Sequence, residues 1–214
     1  MKGIKTLALL VMVAFLAFSC GDSGNPTNGG NGDGGSSKGS LSTHQGANTV
    51  VTESNVQAVS GIVTSKAYEV FGRAMATIKY AKPVAGTSYN LDGRVNGNNS
   101  GYAQVKGTMT INMSGQQPTS YSYNFICTYY DFSDDGALWL GGAITYTGTY
   151  DMSNTQNLKY NLTFEGGLTF NGTYEGTQDF TTNYTMTGQT FSWTSDTSTT
   201  SGGRTFTYTS KYPI

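Results

Sequence analysis

Residues that carry chemistry are scarce in this chain. One histidine, two cysteines and four prolines occur among 214 residues, and charged side chains make up only 12 %. The lone histidine, His44, lies beside a glycine-rich stretch and reads as an exposed linker residue. No second imidazole and no nearby cysteine in sequence completes a zinc set around it, and no partner makes it the base of a serine relay. Two cysteines build no disulfide framework, so the fold has to be held by packing. A net charge of −1 supplies neither the basic footprint of a nucleic-acid binder nor a polybasic patch for anionic lipid. No apolar run reaches the ~20 residues that a membrane-spanning helix needs. The expectation is a protein that is not an enzyme, holds no cofactor and binds no nucleic acid.

What the chain has in quantity is glycine (29 residues), tyrosine (15) and threonine. That is the composition of a β-rich protein, because aromatic and β-branched side chains fit a pleated surface and are what disordered chains lack. The clearest pattern lies between Gly142 and Glu175. Ile144-Thr-Tyr-Thr-Gly148-Thr-Tyr150-Asp151 returns as Leu168-Thr-Phe-Asn-Gly172-Thr-Tyr174-Glu175, an offset of 24 positions (168 − 144). Large apolar residues and glycine take the even positions while Thr, Asn and acids take the odd ones, which is the two-residue period of a half-buried strand. An antiparallel sheet with one dry and one wet face follows.

The N-terminus is built differently. Met1 to Lys5 is basic, Leu7 to Phe18 is apolar, and Ser19-Cys20 closes the run, the three-part layout of an export signal. Leu16-Ala17-Phe18-Ser19-Cys20 resembles the lipobox of bacterial lipoprotein signal peptides, with its leucine one place further from the cysteine than the family pattern has it. The resemblance covers residues 1–20. It implies cleavage before Cys20, a diacylglyceryl group and palmitate on Cys20, and a membrane partner reached through that lipid. Gly21, where an aspartate would signal retention at the inner membrane, implies the outer membrane as the place in the cell envelope. An ordinary secretory signal is the competing reading. With Cys20 lipidated, Cys127 has no partner in its own chain.

Residues 21–40 contain no side chain able to join a core and read as a flexible Gly/Ser/Asn tether. Gly21-Asp22-Ser23-Gly24 has the letters of a serine-protease nucleophile motif but no domain before it, and the glycines between 29 and 35 have no strand or helix around them to make a phosphate loop. The expected division is 1–19 signal peptide, 20–40 lipidated cysteine and tether, and 41–214 folded domain. Within the last, Ser54-Asn-Val-Gln57 reads as a capping box. Val56, Val59, Val63, Ala67 and Val70 then recur at three- and four-residue steps, predicting a helix punctuated at Gly61. It closes at Gly72 as a C′ residue, or continues over Ala74–Ile78 until Pro83 forbids more.

Turn chemistry divides the remainder into strands at Tyr89–Val95, Tyr102–Met113, Ser120–Phe132, Ala137–Tyr150, Leu158–Phe164, Leu168–Met186, Thr190–Asp196 and Arg204–Tyr212, with Glu165-Gly166-Gly167 and Gly188-Gln189 among the turns. A further short strand is expected at Thr77–Lys82. Short connections make sequence neighbours sheet neighbours. Gly142, Gly148, Gly172 and Gly176 fall on the apolar register and mark bends or close approaches. The predicted class is mainly β (α+β), a bent antiparallel meander of about eight strands forming a half-barrel or nearly closed barrel packed on one N-terminal helix. In order and shape this resembles the periplasmic half-barrel carriers of lipids and lipoproteins, and the helix followed by glycine-punctuated strands resembles exported bacterial proteins of unknown function.

Four groups of residues are candidates for function. Asp131, Ser133 and Asp135, followed by Gly136, match the start of a calcium loop, but Gly142 stands where its bidentate Glu belongs, and a hairpin turn uses the same residues. Cys127, between Phe125 and Tyr129 in its strand, reads as a small buried apolar residue. Trp139 and Trp193 fall on odd, outward positions among threonines, where a ring either binds carbohydrate or a partner or is covered by a loop. Val59, Val63, Gly148 and Gly172 would line space for a hydrophobic ligand between helix and sheet, because glycine removes volume from a core face. The function expected first is a non-enzymatic envelope lipoprotein carrying such a ligand. The alternatives are a structural or adhesive surface lipoprotein using its polar Thr/Tyr/Trp sheet face, and a small outer-membrane β-barrel, against which the helix and short turns count.

Overall fold

The computed structural model describes residues 39–78, 87–115, 117–154 and 157–213. Cys20, the expected signal peptide and nearly all of the expected tether lie outside these residues. So does the expected strand at Thr77–Lys82 beyond Ile78, where Thr77 is a helix C-cap. A two-residue strand β1 (Thr49–Val50) and a helix α1 (Val56–Ala76) precede eight longer strands. These are β2 (Thr87–Asn96), β3 (Ser100–Ser114), β4 (Gln117–Ser133), β5 (Leu138–Asp151), β6 (Lys159–Gly172), β7 (Tyr174–Thr187), β8 (Thr190–Ser201) and β9 (Arg204–Tyr212). They form an antiparallel meander in sequence order with β2 and β9 as its edges, so the sheet does not close into a barrel. β1 adds a short parallel pairing to β7.

Alternation in the strands becomes two faces. Val105, Cys127, Ile144, Gly166, Phe180, Thr197 and Tyr208 lie side by side on one of them. The next row on that face holds Phe125, Tyr146 and Phe164. The apolar residues of these rows, Tyr208 apart, join the helix in a single core. Leu162 and Phe170 are buried there as the pattern demands, and Tyr208 is half-buried.

The phase of the alternation is reset wherever a hairpin pairs an odd with an even residue. β4 turns odd residues to the core and β5 even ones, because Cys127 pairs with Ile144. The turn at Gly188-Gln189, with Thr187 opposite Thr190, does the same. β7 therefore buries Phe180 while β8 buries Thr197 and Thr199. Trp193, opposite Tyr184, consequently lies on the helix face and not outward as expected. A second correction concerns Glu165-Gly166-Gly167, which is no turn. β6 runs through it, with Gly166 between Ile144 and Phe180, and a Cβ on Gly166 would lie 2.2 Å from the Ala143 carbonyl oxygen. The glycine permits close strand approach, and the reversal comes at Thr173, after Gly172 with a φ of 114°.

Helix α1 turns Val56, Val59, Val63, Ala67, Val70 and Ala74 to the sheet and buries them all. Each fully buried valine contributes roughly 1.5–3 kcal/mol relative to exposure. Ile62 points away and is 53 % exposed. The helix begins one residue later than the expected capping box places it. Asn55 is the N-cap and makes no side-chain bond to the helix, its Oδ1 instead accepting from the Thr52 amide at 2.8 Å. The helix also passes through Gly72 to Thr77, because its last turn is anchored on the sheet edge. The Thr77 hydroxyl oxygen accepts from the Arg94 amide of β2 at 3.0 Å, and a Cβ on Gly93 would meet the Ala74 carbonyl at 2.4 Å.

Aromatic packing locks the middle of the helix. Phe71 stacks on Tyr146 at 4.2 Å and on Phe125 at 5.5 Å, and the Tyr129 hydroxyl donates to the Ala67 carbonyl at 2.7 Å. Nearer the N-terminus the contact is polar, with Ser60 Oγ 2.7 Å from Thr199 Oγ1 and Gln178 Nε2 donating to Thr64 Oγ1 at 2.6 Å.

Candidate functional site

Two neighbouring irregularities shape one end of the outer face, the face turned away from the helix. The β3–β4 ladder shifts register between Ser100 and Tyr102, and the β4–β5 ladder shifts between Tyr129 and Phe132. Such bulges bend a strand and re-aim a side chain. Here the residue re-aimed is Asp131, whose φ of 51° lies in the left-handed region that Asp tolerates better than most. Gly101 packs directly against it, since a Cβ there would fall 2.2 Å from the Asp131 carbonyl oxygen.

Residues 40–48 cross this spot as a strap without regular structure between a bridge at Ser40–Tyr130 and strand β1. Asp131 is its fastening. Its amide donates to the Ser40 carbonyl at 2.8 Å, and its Oδ1 accepts from the Ser42 amide at 3.0 Å and lies 2.6 Å from His44 Nε2. The imidazole lies flat on Trp139, ring centroids 4.3 Å apart and planes 8° from parallel. Trp139 is 7 % exposed yet outside the apolar core, to which its neighbours Leu138 and Leu140 belong. Its indole N–H donates to Ser100 Oγ at 3.0 Å, and that hydroxyl donates to the Asp131 carbonyl at 2.9 Å. Asn171, opposite Trp139 in the β5–β6 ladder, donates to the Ser42 carbonyl at 2.7 Å, while its Oδ1 is buried without a hydrogen-bond partner. His44 is thus a packed residue and not the exposed linker side chain its position suggests. The one signal for this site in the sequence is a tryptophan on a wet register.

The calcium-loop residues do not converge on one point. Asp131 is spent on the strap, Ser133 is buried and accepts from the Gly136 amide at 3.0 Å, and Asp135 Oδ1 accepts from the amides of Ala137 and Leu138 at 2.8 and 3.1 Å. Burial pushes the Asp135 carboxyl up, but those two amides and the charge of Lys66 outweigh it and hold the group below its ordinary value. Ser133 and Asp135 shape the β4–β5 turn. Among the described residues, no group of three or more His, Cys, Asp and Glu side chains gathers as a metal ion would require.

The four residues expected to line a ligand space are in contact with the protein itself. Val59 and Val63 are buried in the core. A Cβ on Gly148 would meet the Asn161 carbonyl oxygen at 2.5 Å and Leu162 Cδ1 at 2.8 Å, and one on Gly172 the Ala137 carbonyl oxygen at 2.2 Å and Trp139 Cε3 at 2.9 Å. The volume these glycines release is taken up by neighbouring strands. Cys127 is buried beside Tyr129, and burial pushes its thiol up to about 12, far from the reactive thiolate range.

A second polar cluster lies at the same end of the molecule and binds helix to sheet. Asp134, in the β4–β5 turn, takes Arg73 Nη1 at 2.6 Å, Lys66 Nζ at 3.4 Å and the Asn98 amide at 3.1 Å. Burial pushes its carboxyl up, and the hydrogen bonds from Arg73 and Asn98 together with the charges of Arg73 and Lys66 more than reverse this, leaving it below its ordinary value. No family model, curated protein or solved structure matches this chain.

Proposed function

We propose that this protein is a non-enzymatic lipoprotein of the bacterial cell envelope, held in the outer membrane by lipid on Cys20, that binds a surface partner with the outer face of its sheet. The observation that carries the reading is one row of residues running across all eight strands of the meander. It consists of Asn90, Thr108, Asn124, Thr147, Thr163, Asn183, Thr194 and Lys211. All are exposed except Thr163, which is half-buried. Seven offer a hydroxyl or an amide, and one carries charge.

Folding alone does not require such a face, since many polar residues would keep it wet. An uncharged field of donors and acceptors suits a partner that is itself polar, uncharged and extended. Cross-strand bonds hold part of the field in fixed directions, as between Thr163 Oγ1 and Asn183 Oδ1 at 2.8 Å and between Thr185 and Ser192 at 2.6 Å. Rigid donors lose little freedom on binding. The same polarity argues against a membrane barrel, whose outward residues form an apolar band.

The test is site-specific photo-crosslinking on intact cells. A photoreactive side chain replacing Thr147, in the middle of the row, is expected to give envelope adducts, while the same group replacing the exposed Ile62 on the helix gives none. Adducts at Ile62 alone, or at neither position, would sink the proposal.

A further inference from the structure

We infer that His44 occupies, as an internal stand-in, a ring-stacking subsite for one sugar of a glycan, formed by Trp139, Asp131, Asn171 and Ser100 and uncovered when the strap lifts. The inference rests on the reading of the outer face as the binding face and names the partner's chemistry. A pyranose offers a flat face of C–H groups and a rim of hydroxyls. A tryptophan face receives the first, and carboxylate, amide and hydroxyl groups around its edge receive the second. Those groups are in place. The six-membered edge of the indole packs where Gly172 has no side chain, since a Cβ there would lie 2.9 Å from Trp139 Cε3, and the pyrrole N–H is fixed by Ser100 at 3.0 Å. The platform is therefore rigid before any ligand arrives.

What lies on it is already a flat ring with polar edges. His44 sits nearly parallel to the indole at 4.3 Å and meets Asp131 Oδ1 at 2.6 Å, the two contacts a sugar would make with its face and with one hydroxyl. The buried Asn171 Oδ1 is an acceptor with nothing to accept from, and a second hydroxyl of a seated sugar would satisfy it. An unmet acceptor of this kind costs about 1–3 kcal/mol, which the closed strap does not recover.

The strap is separable from the core. Residues 41–48 have no ladder of their own, and they join the chain to its N-terminal tether. Two glycines let the strap lie down. A Cβ on Gly39 would fall 2.2 Å from the Tyr129 carbonyl oxygen, and one on Gly46 2.5 Å from the Gly172 carbonyl oxygen. Gly46→Ala thus lifts the strap by pressing on the Gly172 backbone and replaces none of the subsite's own side chains, while His44→Ala removes the stand-in.

Both substitutions are made in full-length protein carrying Trp193→Phe, so that Trp139 is the only indole. Chitotriose and cellotriose serve as probes, one bearing N-acetyl groups and one only hydroxyls. The expected result is at least tenfold tighter binding of one of them by both variants than by the parent, read as a change in tryptophan emission. Adding Asn171→Leu to His44→Ala is expected to abolish the gain. Hydrogen exchange over residues 39–48 should rise in both variants while the thermal transition of the sheet stays in place. If neither variant binds either oligosaccharide better than the parent, the inference is overturned. Unchanged exchange in both also overturns it, because His44 and Gly46 would then be dispensable to closure. Oligosaccharide binding without crosslinks at Thr147 would leave the subsite standing and remove the broader reading of the face, and the reverse pattern would do the opposite.

Discussion

Gly61 sits on the solvent side of α1 with open space where a Cβ would go, whereas Gly172 has a φ of 114° and strand backbone at 2.2 Å. Replacing the first by alanine removes a flexible residue from a helix interior at no steric cost, and Gly61→Ala is expected to stabilise the protein by about 1 kcal/mol. Gly172→Ala forces a side chain into the left-handed region and against the Ala137 carbonyl, and is expected to cost at least about 2 kcal/mol. Denaturant titration of the two variants beside the parent decides the pair, and equal signs would refute the account. In the sequence Gly61 reads as a break in the helix, and Gly172 as a bend or close approach, which the Ala137 carbonyl makes good. Gly172 suggested free volume for a ligand because a missing side chain looks the same whether a cavity or another strand fills the gap. His44 and Asp131 are eighty-seven positions apart, and nothing local to either foretells a contact that two bulges create.

At the scale of elements, α1 is fastened to the β4–β5 turn by charge as well as packing. The Asp134 carboxyl is held below its ordinary value in the folded chain, so its contribution is complete above the unfolded carboxylate pKa of about 3.9 and is lost as pH falls through the lower, folded value. Asp134→Asn should therefore cost about 1 kcal/mol near neutrality, a modest figure because Arg73 remains partly in solvent. The difference between variant and parent should stay constant down to about pH 5 and close below about pH 4. Urea titrations at four pH values measure it, and a gap that widens in acid would be incompatible with the mechanism. The elements themselves were largely legible. The helix stripe from Val56 to Val70 and the meander order follow from periodicity and short turns, because burial on one side of an element writes itself into residue spacing. The fastening was not legible, since a helix-face Arg and a turn Asp sixty-one positions apart have no spacing in common. The phase of β8 was hidden for another reason. Its two aromatic residues, Phe191 and Trp193, share the helix face, but from Ser195 to Ser201 both faces are Ser, Thr or Asp, and the buried Thr197, Thr199 and Ser201 are as polar as their wet neighbours.

Among the described residues the apolar core lies between sheet and helix, and the outer-face row from Asn90 to Lys211 presents hydroxyls and amides. No helix among the described residues is long and apolar enough to cross a membrane. Under the proposed reading, attachment to the envelope depends on lipid at Cys20, and a flexible Gly-rich chain of the length of residues 21–38 would have an average reach of about 24 Å. One acyl chain binds a bilayer reversibly and two or more hold it firmly, so under that reading a multiply acylated Cys20 would need no help from the fold. Cys20→Ser should shift the protein from the detergent phase to the aqueous phase in Triton X-114 partitioning and from the membrane pellet to the soluble fraction of lysed cells. Its thermal transition should match that of the parent, because Cys20 lies 19 positions (39 − 20) before Gly39, the first described residue. If the serine variant stayed in the detergent phase, the sheet would have to carry a lipid-facing surface and the two-faced architecture would need to be inverted. If it left the detergent phase but remained in the washed pellet, lipid on Cys20 would not be the only attachment, and the outer face, with its row from Asn90 to Lys211, would be the surface to test for the second.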